Sequence, residues 1–348
     1  MKQSGRKFIA GLAAGAVMAF GVVQAGLADD VTSIAVLVPE QGTDFGWNQQ
    51  GVDAARAVAE MHDLEFMPAE GLGYGDVRPT LRELAEEGAS LMIAHASGYN
   101  TAAPEIAAET GVPVAIVDSP DAIQEGLVAD YTLHGHEGAW LAGAMAAMMS
   151  RSGTVGIVVS GEPPSWNSQS AGFAMGARAT NPDINIIYAV IGPAAYGDVA
   201  GGRRVTETVI AAGADIIFGQ GNGSSFGMIQ AVETTAAADG DKVWFIDVIG
   251  DKTSQAASHL LSSVLWNMVP VYSAMVEDLK AGTFGTVGYK IQLADDSVQL
   301  LKTDNIPDDV WTSIMAKRDE ILSGMMIDLI TDAQEVRALM TSIDIGEG

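Results

Sequence analysis

The sequence predicts an α/β chain folded as two doubly wound lobes, and three observations predict it. Short Val- and Ile-rich runs alternate with longer Ala-rich segments of helical periodicity. The short runs are apolar on both faces, as strands of a parallel sheet covered by helices must be. Finally, 348 residues of 48% hydrophobic composition exceed what one core usually holds, so two lobes of roughly 100–150 residues are expected.

In chain order the expected strands are Ile34–Val38, Leu64–Met67, Leu91–Ala94, Val114–Val117, Val155–Val159, Ile184–Val190, Asp215–Phe218, Val243–Val248 and Ser263–Trp266. Between them the helical pattern covers Gln49–Met61, Val77–Glu87, Thr101–Thr110, Gly138–Ser150, Ser168–Thr180, Val199–Ala212 and Met228–Ala238. Leu260–Gly282 reads as one more strand and helix, Val287–Leu301 as two strands about an Ala294–Ser297 turn, and Asp308–Ser323 as a last amphipathic helix. The helix ending in Ser150-Arg151-Ser152-Gly153 marks the expected break. One lobe then holds residues 29–150 with about 252–282, and the other holds 151–251 with about 283–348.

The first residues have the pattern of an export signal: Lys2, Arg6 and Lys7, an uncharged run from Phe8 to Val23, then small residues. Cleavage fits after Ala25 or Ala28, the latter preferred because Asp29-Asp30 follow, so residues 1–28 are read as a signal peptide. The Gly and Ala content of the run is weakly hydrophobic for a stable anchor. The sequence has no cysteine, so neither lipid attachment nor disulfides are available, and apolar burial must hold the fold. Losing three of eighteen cations and none of forty-four acids takes the formal net charge from −26 to −29. Such a charge repels phosphate backbones and anionic lipid, which argues against a nucleic-acid or membrane-surface partner and disfavours loose self-association, so a monomer is expected.

Ligands of open parallel sheets meet the loops beyond the carboxyl ends of the strands. The first such loop runs from Pro39 to Gln50; Trp47 could stack on a flat ligand while Asp44 and Asn48 take its polar edge. The alternative is that Asp44 caps the following helix and Trp47 covers the lobe edge. Further candidate loops are His95–Asn100, Asp118–Asp121, Gly161–Asn167 with Trp166, and Gly219–Gly227 with Phe226. Asp247 and Asp251 lie at and beyond the Val243–Val248 strand. The Gly219–Gly227 loop superficially matches a dinucleotide fingerprint but lies late in the chain, without a β-α-β unit and an acid at the expected distance.

Catalysis and metal chemistry find little support. His134-Gly135-His136-Glu137 is the one His cluster, and without further His or Cys the expected count of metals and cofactors is none, with Glu137 anchoring the next helix. With no cysteine, no G-x-S-x-G elbow and five histidines, nothing pairs a nucleophile with a base.

Six segments in order carry a family resemblance: Asp44-x-x-Trp47-Asn48-Gln49, His136-Glu137-Gly138-Ala-Trp-Leu-Ala-Gly143, Ala171–Asp183, Gly213–Phe218, Ser263-Val-Leu before a helix, and Arg318–Gly324. The chain resembles the basic membrane protein family, the purine nucleoside receptor-like substrate-binding proteins of ABC transporters. The resemblance implies a type I periplasmic-binding fold, two Rossmann-like doubly wound lobes joined by a multi-strand hinge and closing on a small solute. It also implies a periplasmic location, permease and ATPase partners, and a purine nucleoside or nucleobase-like ligand. By motif match the ring would stack on Trp47 and Phe226, with Asp44, Asn48, Asp118 and an acid from Asp247 and Asp251 on its polar atoms. Two segments depart from the pattern: Trp266 stands where nucleoside-binding members carry Lys, and Phe245–Asp251 differs from the Val-Ile-Gly-Val-Asp-like segment, both regions that serve the ribose in relatives. A free base or another heterocycle fits the extra Trp equally well. A sugar receptor of the ribose type, a periplasmic nucleoside hydrolase and a ligand-sensing module are the alternatives.

Overall fold

The computed structural model describes residues 31–342, so the expected signal segment lies outside the described residues. The first sheet takes β1 (Ser33–Leu37), β2 (Glu65–Ala69), β3 (Leu91–Ala94), β4 (Val114–Val117), β5 (Val128–Leu133) and, much later in the chain, β11 (Tyr289–Ile291). The second takes β6 (Thr154–Val159), β7 (Asn185–Val190), β8 (Ile216–Gln220), β9 (Trp244–Ile249), β10 (Leu260–Trp266), β12 (Val298–Leu300) and β13 (Thr341–Ser342). Their strand orders are β11-β5-β4-β3-β1-β2 and β12-β10-β9-β8-β6-β7-β13. Every pairing between these strands is parallel except that of β10 with β12.

The helices are α1 (Trp47–His62), α2 (Arg78–Glu86), α3 (Ala102–Thr110), α4 (Gly135–Met149), α5 (Pro164–Thr180), α6 (Val199–Ala211), α7 (Ser225–Thr234), α8 (Thr253–Ala256), α9 (Val269–Ala281), α10 (Asp308–Leu322) and α11 (Ala333–Ala338). Strands β3 and β4 are buried at every residue, which is why they read as continuous apolar runs. Alternate residues of β1 then split between two cores: Ile34 and Val36 face the core shared with α1, while Ala35 and Leu37 face the one shared with α2 and α3.

The expected division of the chain needs correction at the crossings. Leu260–Trp266 was assigned to the first lobe but pairs with β9 in the second sheet; the helix after it, α9, packs on α1 of the first lobe. Residues beyond 283 were assigned to the second lobe, yet β11 pairs with β5 in the first. The two strands read around the Ala294–Ser297 turn therefore do not form a hairpin; they belong to different sheets. The 150/151 break moves as well, since α4 packs on α5, β10 and β12. Gly143 and Gly176 allow that packing: a Cβ on either would lie 1.9 Å from a carbonyl oxygen of the facing helix, Phe173 and Trp140 respectively. The chain thus crosses between lobes after β5, after β10 and after β11. Side-chain polarity hid these crossings, because membership of a sheet is set by pairing across space and not by the local run.

Strand β5 was absent from the expected elements. Its Val-Ala-Asp-Tyr-Thr-Leu stretch carries a buried Asp130 at its centre, which breaks the apolar pattern. The carboxylate is accommodated because it accepts from the Ser119 amide at 2.5 Å and the Thr132 hydroxyl at 2.8 Å.

Candidate functional site

Each sheet reverses its winding direction once, between β1 and β3 in the first lobe and between β6 and β8 in the second. Loops leave such a switch point in opposite directions and open a crevice at the carboxyl ends of the strands. The two crevices face each other here and enclose a cavity of about 120 Å³. A single water needs ~10–15 Å³ on a comparable scale, so the space suits a small organic molecule. The first lobe contributes Pro39, Trp47 and Tyr74, then Ala96, Ser97, Val117, Asp118 and Leu133. The second contributes Pro163–Trp166, Tyr196, Asn222 and Trp266.

Trp47 is held on two sides before any solute arrives. Its ring stacks on His95 at 3.6 Å between centroids and 11° between planes, and its Nε1 donates to the His95 carbonyl at 2.8 Å. His95 is itself fully buried, with Nδ1 within 2.8 Å of the Tyr131 hydroxyl and 2.7 Å of the Tyr272 hydroxyl, and Nε2 2.9 Å from the Trp47 carbonyl. Burial pushes its pKa down to about 3, so the platform under Trp47 is neutral at physiological pH. Trp266 meets Trp47 edge-on at 6.0 Å. Opposite, Trp166 lies edge-on to Tyr196 at 5.2 Å, and Tyr196 touches Tyr74 across the lobes at 5.8 Å.

The polar groups are few. Asp118 follows β4 in the left-handed region, φ 50°, and its Oδ1 accepts from the Leu133 amide at 2.9 Å. Desolvation, with a smaller contribution from nearby Asp130, raises its pKa to about 6. Trp266 Nε1 is buried and has no hydrogen-bond partner among the described residues. Asp118 and Asn222, both lining the cavity, have positive φ despite being non-glycine, as do Phe45, Ala194 and Ile249. Such backbone costs of order 1–3 kcal/mol per residue and persists where the surroundings enforce it, commonly at binding sites.

Of the nine candidates named from sequence, Trp47, Asp118, Trp166 and Trp266 line the cavity and the other five do not. Asp44 is buried as a helix cap, accepting from the Gly46, Asn48 and Gln49 amides. Asn48, also buried, donates to Asp44 and accepts from the Glu40 amide, so neither side chain faces a ligand. Phe226 packs edge-on against Phe45 at 6.3 Å, and Asp251 accepts from the amide and hydroxyl of Thr253 at the start of α8.

Asp247 and Lys252 form a buried ion pair at 2.9 Å, both side chains 1% exposed. Lys252 Nζ also donates across the lobes to the Phe45 carbonyl at 3.0 Å. Beside it, a Cβ on Gly250 would lie 2.0 Å from that same carbonyl, so only glycine permits the seam to close this tightly. The Trp47 amide and Asn222 Oδ1, 3.4 Å apart, make a second contact between lobes.

The His134, His136 and Glu137 side chains do come together, their ligand atoms within 4.8 Å of one another at the β5–α4 crossing. Glu137 Oε2 accepts from the Leu293 amide at 2.9 Å, tying that crossing to the one after β11.

A family model described as ABC transporter substrate-binding protein PnrA-like (Bmp) matches residues 31–329. The chain belongs to this family. Basic membrane protein A of Borreliella afzelii is 24% identical over 75% of this chain and 79% of its own length. The ABC transporter nucleoside-binding protein BmpA of Lactococcus lactis is 23% identical over 60% and 62%, and the transcriptional activator protein med of Bacillus subtilis is 21% identical over 73% and 76%. Among solved structures, an ABC transporter solute-binding protein from Aeropyrum pernix superposes with a TM-score of 0.74 at 17% identity, covering 88% of this chain and 96% of that one. The two-lobed α/β fold is thereby that of the periplasmic-binding proteins. Among the described residues no helix is long and apolar enough to cross a membrane.

Within this family fold, sequence reading missed Tyr74 and Tyr196. Both sit in glycine-flanked loops, Gly73-Tyr74-Gly75 and Ala195-Tyr196-Gly197, and an aromatic residue in so open a loop was the available signal.

Proposed function

We propose that this chain is the periplasmic, non-enzymatic substrate-binding subunit of an ABC importer, taking a small heterocyclic solute of nucleoside or nucleobase type between its lobes. One observation carries the reading: aromatic side chains from both lobes, Trp47 and Tyr74 facing Trp166, Tyr196 and Trp266, enclose one cavity at two opposed switch points. Solute bridging the walls favours the closed state by its differential affinity, and a permease with its ATPase reads that closed shape. Trp47, Trp166 and Trp266 supply the ring contacts and Asp118 the polar one, the protein acting as a monomer.

The test is mass spectrometry of small molecules released on denaturing freshly purified protein, followed by thermal-shift titration with what is found. A heterocycle that raises the melting temperature with concentration, and fails to do so after Trp166→Ala, supports the reading. A released sugar overturns the solute class, and turnover of inosine by the pure protein overturns the non-enzymatic assignment.

A further inference from the structure

The charge of the solute can be read from what the cavity wall lacks. Among the described residues that line the space, Asp118 is the one carboxylate and none is Lys, Arg or His. The lysine of the interlobe seam, Lys252, is committed to Asp247, the Phe45 carbonyl and the Val248 carbonyl. Asp118 has one protein donor, the Leu133 amide on Oδ1, and no described residue donates to Oδ2. Burial raises its pKa, with a smaller push from Asp130, and the single Leu133 amide offsets this only in part. Five aromatic residues share the cavity wall with it, Trp47, Tyr74, Trp166, Tyr196 and Trp266, and an aromatic ring face carries negative electrostatic potential. Glu40 adds a further acid behind this wall, its Oε1 3.6 Å from where a Cβ on Gly197, next to Tyr196, would stand.

An anionic solute entering this space meets a carboxylate and ring faces, with no basic group to receive it. A neutral heterocycle can donate an N–H to Asp118 but leaves the carboxylate charge uncompensated in a largely apolar space. A flat cation supplies the missing charge and gains attraction from the ring faces as well.

We propose that the solute is a small, flat organic cation, an N-alkylated or protonated nitrogen heterocycle, held with its positive charge against Asp118 inside the aromatic cage formed by Trp47, Trp166 and Trp266 with Tyr74 and Tyr196. This rests on the reading of the interlobe cavity as the site of a heterocyclic solute, and among flat heterocycles it favours a cation over a neutral nucleoside or base. Ser97, Ser165 and Asn222 remain for neutral substituents on the ring.

Three pyridines of nearly one shape separate the charge classes: N-methylnicotinamidium as the cation, nicotinamide as the neutral form and nicotinate as the anion. Calorimetric titration of the protein, freed of co-purified solute, is expected to show the cation binding ~10-fold or more tighter than nicotinamide, with no detectable binding of nicotinate. Asp118→Asn keeps an acceptor for the Leu133 amide and is expected to erase that preference, while circular dichroism and melting temperature report whether it folds. Should the variant fail to fold, potassium chloride titration of the parent serves instead: the cation's affinity falls with salt and nicotinamide's does not. Equal or tighter binding of nicotinamide or nicotinate overturns the proposal, as does a cation preference that survives Asp118→Asn. Inosine binding in the absence of any pyridine binding overturns the charge assignment and leaves the solute trap standing. No heat from any of the four overturns both the charge assignment and the nucleoside or nucleobase class of the solute.

Discussion

Asp118 and Asp247 look alike in sequence: each belongs to a parallel strand or its first loop residue at the cleft end of its lobe. The structure gives them opposite surroundings. Asp247 lies within β9, 1% exposed, and is answered on several sides: Lys252 at 2.9 Å, the Ser225 hydroxyl at 3.2 Å and the Val248 amide at 2.9 Å. Asp118 stands one residue past the end of β4 and has a single amide donor. An acid inside a strand is enclosed by its own lobe and must be neutralised there, whereas one just past the strand end is left for whatever enters the cleft. The first acid closes the seam through Lys252; the second waits for a partner.

The largest expected effect comes from breaking the enclosed acid. Lys252→Met leaves Asp247 buried without its counter-charge and removes the donor to the Phe45 carbonyl, so it should destabilise by ~3–5 kcal/mol in urea unfolding. The same variant should weaken solute binding by favouring the open lobes, seen as a larger radius of gyration in small-angle scattering. An unchanged denaturation midpoint would place the pair outside the stability of the closed form.

The acid in the cleft should respond in the opposite sense. A carboxylate whose pKa rises from 3.8 to about 6 on folding imposes a stability cost that is fully present above pH 6 and disappears as pH falls towards 3.8. Without solute, Asp118→Asn should therefore be more stable than the parent near pH 8, on the order of 1–2 kcal/mol, with the gap closing towards pH 4.5. Comparing parent and variant at each pH isolates this group, because His95 and His136, whose pKa values burial lowers, oppose it: their contribution is lost as pH falls below 6.5. A gap independent of pH would show that Asp118 is not ionising as described.

The smallest effect tests the remaining support of Asp247. Ser225→Ala removes one of its hydrogen bonds and should cost ~1 kcal/mol, measured as a shift in the urea midpoint at constant slope. A loss as large as that of Lys252→Met would mean that the hydroxyl, and not the ammonium, holds the seam.

The legibility of the site followed the same division. Trp47 and Trp166 were singled out as large aromatic residues in strand-helix loops, and Trp266 because it stands where the resembling family carries Lys; all three line the cavity. Asp44 and Asn48 were legible as chemistry but not as assignment: the Asp-x-x-Trp-Asn pattern that suggests a ligand's polar edge equally builds a helix cap, and the amides of Gly46, Asn48 and Gln49 claimed it. Phe226 and Asp251 were displaced by similarly local partners, Phe45 and Thr253.

Taken alone, the sequence determined the alternation of strand and helix, the two parallel sheets, and the loops that bear the cleft, because periodicity and apolar runs are properties of neighbouring residues. Only the tertiary structure decided which lobe owns β10 and β11, that Lys252 spends its charge on Asp247, and that Asp118 is left with an open oxygen. Those outcomes depend on groups far apart in the chain reaching one another, and the free energy of a buried charge is set by what surrounds it in space, whatever stands beside it in sequence.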